Sequence, residues 1–139
     1  LSLPISAPRV DIAVDVASEQ PSLSLLVLDN DPEVLASLCT LLRSWRMRVH
    51  PASNCTAASA ILASEKIDWA IVDYALGEPI TGLDWIAAER AQWPGLRAAL
   101  LTAEGDPDLP LQCKALGVQF LKKPGRPAAL RATLSAARD

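Results

Sequence analysis

Three unbroken apolar runs, each closed by a polar residue, constrain this chain more than anything else in it. Leu25 to Leu28 runs into Asp29, Trp69 to Val72 into Asp73, and Ala98 to Leu101 into Thr102. Four apolar residues with no polar alternation suit a strand buried on both faces of a parallel sheet. Between the runs the period changes to 3.6. After Asp31-Pro32, an N-cap followed by proline at the first helical position, apolar residues recur at Val34, Leu35, Leu38, Leu41, Leu42 and Trp45. Met47 and Val49 then alternate with Arg46, Arg48 and His50 as an edge strand. Thr56 to Ser64 forms a second helix. Leu83 to Trp93 forms a third, with Leu83, Ile86, Arg90 and Trp93 inward and Trp85 off that stripe, either exposed or partly buried against a neighbouring side chain. It stops at Pro94-Gly95. A short helix runs from Leu109 to Leu116 and ends at Gly117. A further strand, Val118 to Leu121, ends at Lys122-Lys123-Pro124. Pro127 opens the last helix, with Leu130 and Leu134 inward. Strands that alternate with helices in this way predict an α/β fold: a parallel sheet with right-handed crossovers and helices on both faces.

Length and composition narrow the function. The chain has 139 residues, enough for one domain, and is 50% hydrophobic and 21% charged, which excludes disorder throughout. A net charge of −3 makes nucleic acid a poor partner. No run approaches the ~18 apolar residues of a membrane span, and no positive start followed by an apolar stretch marks a signal peptide. Cys39, Cys55 and Cys113 are odd in number and scattered. They fit neither a disulfide framework nor a zinc motif, so a reduced, cytoplasmic setting is expected. His50 is the sole histidine and stands before Pro51, where a polar residue ending an edge strand is the plain reading. Residues 1–22 hold Pro4, Pro8 and Pro21 and several serines, and are expected to be a linker or the end of a preceding domain; the folded domain is expected over 23–139. A start at Leu1 rather than Met suggests a piece of a longer protein.

The strand ends carry the chemistry. In an open parallel sheet, ligands bind outside the carboxyl ends of the strands, at a topological switch point. With strand order 2-1-3-4-5, Asp29 and Asp73 stand side by side, about 4.8 Å apart by strand spacing, and Thr102 and Lys123 approach from the other side. Two neighbouring carboxylates repel unless a cation sits between them. Hard oxygen ligands suit Mg2+, which keeps several of its waters. A hydroxyl and an ammonium beside it would bind phosphoryl oxygens, and a carboxylate in the middle can serve as the nucleophile. Asp31 is expected to be no more than a helix cap.

These residues resemble a response-regulator receiver domain. The matching stretches run from Leu26 to Pro32, Ile71 to Leu76, Leu100 to Ala103 and Phe120 to Pro124. The resemblance implies a flavodoxin-like (βα)5 three-layer sandwich. It implies that Asp73 accepts a phosphoryl group from a phosphohistidine donor. Mg2+ would be held by Asp29, Asn30, Asp73 and the carbonyl of Ala75, while Thr102 and Lys123 assist and Thr102 and Phe120 switch. Three departures stand out. Asn30 occupies a position where Asp is usual, so one ligand charge is lost and Mg2+ should bind more weakly. The loop Gly77 to Thr81 is one residue longer than common. Pro107 and Pro110 make the fourth helix start late, so the family's usual dimer is not carried over. The first residues are similar to the end of a kinase ATP-binding domain, which suggests the C-terminal receiver of a hybrid sensor histidine kinase.

Other functions compete. Asn30 favours a degenerate receiver that binds a partner without being phosphorylated. Asp29-Asn30-Asp31 fits the Asp-x-Asp of a haloacid-dehalogenase-like phosphohydrolase using Asp29, although Asp106 and Asp108 lie in a loop and not at a strand end. A flavodoxin-like FMN module would want a Ser/Thr/Gly-rich loop where those acidic residues stand.

Overall fold

The computed structural model describes residues 23–103, 107–123 and 127–136. The expected linker over residues 1–22, together with Asp106 and Pro124, lies outside them. Five strands and five helices alternate: β1 (Ser24–Leu28), α1 (Pro32–Ser44), β2 (Arg48–Ala52), α2 (Cys55–Ser64), β3 (Trp69–Asp73), α3 (Gly82–Gln92), β4 (Arg97–Thr102), α4 (Leu109–Leu116), β5 (Gln119–Lys122) and α5 (Pro127–Ala136). All strand pairs are parallel and the sheet order is β2-β1-β3-β4-β5, the expected flavodoxin-like arrangement.

Strand alternation sorts the core into two layers. Leu25, Val27, Ile71, Ala99 and Leu101 face one way and pack with Cys39, Leu42, Leu130 and Leu134 from α1 and α5. Leu26, Leu28, Val72 and Leu100 face the other way, against α2, α3 and α4. The central strands are covered on both faces, and that is why their apolar runs are unbroken.

Helix ends follow the sequence signals. The Asp31 carboxylate accepts the N–H groups of Glu33 and Val34 at the start of α1, and Asn54 accepts that of Ala57 at the start of α2. Thr81 and Asp84 form a reciprocal capping box on α3. Gly117 ends α4 in the left-handed region at φ +68°. Helix α4 has eight residues, with proline in its first turn and no side-chain cap from Asp108, the late and short start that Pro107 and Pro110 require.

Two expectations, the end of β2 and the inward Arg90, need correction, and one open alternative, at Trp85, is decided. Strand β2 does not stop at His50; it continues through Pro51 to Ala52, with Pro51 opposite Val27. An edge strand needs donors on one side only, so the missing proline N–H is tolerated there. Trp85, for which the sequence allows either exposure or burial, is buried at 2% exposure. Helix α3 touches α2 as well as the sheet, and Trp85 fills the gap between them. Its indole N–H donates to Ser59 Oγ at 3.1 Å, and the Ser59 hydroxyl donates to Glu89 Oε2 at 2.9 Å. Arg90, in turn, does not point into the core. Its guanidinium donates to the carbonyls of Leu96, Leu116 and Gly117, tying the end of α3 to the end of α4.

Candidate functional site

Register brings the strand-end residues together. Leu28 lies opposite Val72 and Asp73 opposite Leu101, so Asp29 and Asp73 emerge from adjacent strands at the same end of the sheet. The Asp29 N–H donates to the Ala52 carbonyl at 3.1 Å, and the Tyr74 N–H to the Leu101 carbonyl at 2.8 Å, which prolongs the ladder past each carboxylate. On the far side, the Lys123 N–H donates to the Thr102 carbonyl at 2.8 Å. That bond carries the β4–β5 ladder one residue further, to Lys123.

The Lys123 ammonium bridges the two acids. Its Nζ lies 2.9 Å from Asp29 Oδ2 and 3.1 Å from Asp73 Oδ1. The other Asp29 oxygen accepts the Asp31 N–H at 2.9 Å. Asp29 and Asp73 are 1% and 7% exposed, too buried for water to screen their mutual repulsion well. Burial pushes the Asp73 carboxyl above its usual range. The Lys123 hydrogen bond pulls it down, the Asp29 charge adds to the rise, and the balance is upward. Burial works against the charged form of Lys123, but its bonds to Asp29 and Asp73 outweigh that and hold the ammonium above its usual value.

Other candidates stand around this cluster. Thr102 is buried at the end of β4, one residue past the partner of Asp73. By alternation it belongs to the face of Leu100, which is also the face against which the half-buried Phe120 packs. Asn30 and Ala75 are exposed at the rim. A Cβ on Gly77, whose φ is +68°, would sit 3.2 Å from Asn30 Nδ2, so Asn30 leans on the β3–α3 loop. Lys122 is exposed, and Lys123 is the lysine at the carboxylates. Asp31 caps α1, as expected. His50 stands in β2 opposite Leu26.

The donor set fits a hard dication. Two buried carboxylates face a single ammonium, which leaves one negative charge in the pocket, and Asn30 and Ala75 at the rim would add an amide and a backbone carbonyl oxygen. Among the described residues, no three His, Cys, Asp or Glu side chains gather as a metal site.

Comparison with known proteins agrees with this architecture. Residues 25–135 match the response regulator receiver domain family, and the chain belongs to that family. It is 32% identical over 108 residues to the alginate biosynthesis transcriptional regulatory protein AlgB of Pseudomonas aeruginosa. That match takes in 77% of this chain and 24% of the relative, so the chain spans about a quarter of that protein's length. The signal receiver domain of an HD domain-containing protein from Pseudomonas fluorescens Pf-5 superposes with a TM-score of 0.77 at 27% identity, covering 84% of this chain and 94% of that one. The chemotaxis response regulator CheY4 of Vibrio cholerae shares the fold, with a TM-score of 0.74 at 24% identity over 84% of this chain and 99% of its own. The chain is thus a receiver domain of the two-component response-regulator type. Among the described residues, no helix is long and apolar enough to cross a membrane.

Sequence reasoning did not single out Glu78. Its carboxylate reaches the N-terminus of α2, where Oε2 accepts the Cys55 N–H at 3.0 Å. The contact spans 23 residues of chain, and no local pattern announces it.

Proposed function

We propose that this domain is a Mg2+-dependent phosphoacceptor, with Asp73 taking a phosphoryl group from the phosphohistidine of a kinase or phosphotransfer domain. The observation that carries the reading is the Lys123 ammonium seated between Asp29 and Asp73. Burial makes the Asp73 carboxylate more basic and so a better nucleophile than an exposed one. An Asp73 oxygen attacks phosphorus in line, the P–N bond to the donor imidazole breaks, and the imidazole leaves with the electron pair and takes up a proton. Asp29, Asn30, Asp73 and the Ala75 carbonyl would hold Mg2+, whose charge offsets that of the transferring phosphoryl oxygens. Lys123 is already in place to shift from the two carboxylates to a phosphoryl oxygen once Asp73 carries an acyl phosphate. Thr102 supplies a hydroxyl from the neighbouring strand, and Phe120, on the same face, turns with it. The three free cysteines suit the reducing cytoplasm in which such donors work. The assignment of residues 23–139 to this domain, with 1–22 as a connecting segment, is part of the same proposal.

Asp29 as a hydrolase nucleophile is the weaker reading, because both of its oxygens are already engaged, by the Asp31 N–H and by Lys123. The test is intact mass after incubation with acetyl phosphate and Mg2+. Wild type gains one phosphoryl group, Asp73→Ala gains none, and Asp29→Ala gains one only at higher Mg2+. Labelling that survives in Asp73→Ala but not in Asp29→Ala supports the hydrolase. No labelling at any Mg2+ concentration supports a binding module without phosphorylation, the outcome that Asn30 favours.

A further inference from the structure

From the contact between Glu78 and α2 we infer that Glu78 is a positioning residue for the metal pocket: it locks the β3–α3 loop, and with it the Ala75 carbonyl and the Asn30 side chain, in the geometry that receives Mg2+. The inference rests on the phosphoacceptor reading.

The loop leaves the sheet at Asp73 and enters α3 at Gly82. At its base the Gly82 N–H donates to the Tyr74 carbonyl at 2.9 Å. Its crest, Gly77, has left-handed φ and rests against Asn30. One residue further on, Glu78 is half-buried and holds the N–H of Cys55, the first residue of α2. That N–H is one of the donors a helix start leaves without an intrahelical partner, and a carboxylate there also faces the positive end of the helix dipole. Asn54 serves a different donor of the same helix, that of Ala57. The α2 N-terminus is therefore capped twice, once from its own chain segment and once from the β3–α3 loop. The second cap satisfies a donor of α2 that Asn54 does not reach, and it comes from the loop. It also fixes the crest of the loop, which is held at its base by the Gly82–Tyr74 bond and in its middle by Leu76, buried in the core. The Cys55 thiol registers the same carboxylate: burial pushes it up to about 11, with the Glu78 hydrogen bond and charge contributing to the rise.

Three variants separate positioning from plain stability: Glu78→Ala, Glu78→Gln and Asn54→Ala. Two measurements apply to each, Mg2+ affinity by calorimetry and amide hydrogen exchange of residues 74–81 without metal. The expected result is that Glu78→Ala weakens Mg2+ binding about five-fold and speeds exchange in the loop. Glu78→Gln, which keeps an acceptor oxygen, should stay within two-fold of wild type. Asn54→Ala should lower the melting temperature while leaving both loop readouts unchanged. Wild-type Mg2+ affinity and loop exchange retained in Glu78→Ala overturns the inference, as does an equal shift in Asn54→Ala. A wild type that neither binds Mg2+ nor gains a phosphoryl group on Asp73 overturns the phosphoacceptor reading itself, and in that case loop exchange alone still shows whether Glu78 holds the loop.

Discussion

Gly82 packs so closely on Asp73 that a Cβ at position 82 would lie 2.1 Å from the Asp73 carbonyl oxygen and 2.8 Å from Val72 Cγ1. The first residue of α3 thus sets how β3 ends, and how β3 ends sets where the Asp73 carboxylate stands. Gly82→Ala must move backbone rather than a flexible side-chain tip. It should destabilise the domain by about 1–3 kcal/mol, the range for overpacking, and should lower the rate of Asp73 labelling beyond what the loss of folded protein explains. Urea denaturation and initial-rate mass labelling check the two halves separately.

The pH dependence of stability follows from Asp73. Because its folded carboxyl lies above the ordinary value, ionising it opposes folding. Its contribution to stability is present below the ordinary carboxylate range and is lost as pH rises through the raised folded value. Asp73→Asn removes that loss while keeping an oxygen for Lys123. The variant should therefore melt higher than wild type at pH 7, with the difference vanishing toward about pH 4. Melting curves across this range that show the Asp73→Asn variant less stable than wild type at neutral pH would contradict the assigned balance.

Lys123 neutralises two buried acids with one charge. In Lys123→Met both carboxylates lose their cation, and breaking such a buried pair costs on the order of 3 kcal/mol. Added Mg2+ should replace the missing charge. The variant's denaturation midpoint should rise more steeply with Mg2+ than that of wild type, although phosphoryl transfer is slowed. A midpoint indifferent to Mg2+ would show that no dication enters the pocket.

The Trp85–Ser59–Glu89 chain joins α3 to α2. Trp85→Ala should cost about 3–5 kcal/mol through the cavity it leaves. Trp85→Phe, which keeps most of the volume and loses the bond to Ser59, should cost about 1 kcal/mol. Denaturation midpoints of the two variants distinguish packing from hydrogen bonding.

Local sequence makes some of this plain and hides the rest for physical reasons. Strands buried on both faces tolerate no polar positions, so Leu25–Leu28, Trp69–Val72 and Ala98–Leu101 are visible as unbroken runs, and their closing residues follow. Asp31 and Gly117 act through local backbone geometry and are equally legible. Trp85 is not, because α3 is gripped by two neighbours, the sheet and α2, so no single inward stripe describes it. Arg90 looks inward by spacing, yet its guanidinium serves carbonyls at Leu96, Leu116 and Gly117. Pro51 conceals the end of β2, since only the edge position of that strand makes a proline acceptable there. The link from Glu78 to Cys55 exists only once β3 and β1 are neighbours, and no window of local sequence contains it.

The most direct test of the central claim is chemical trapping. Acetyl phosphate and Mg2+ are added to the domain, the product is reduced with borohydride, and the peptides are sequenced by mass spectrometry. An acyl phosphate on Asp73 is reduced to homoserine at that position, and homoserine at residue 73 alone, dependent on Mg2+, is the predicted result. Homoserine at residue 29, or none at all with Mg2+ at saturation, would contradict the account.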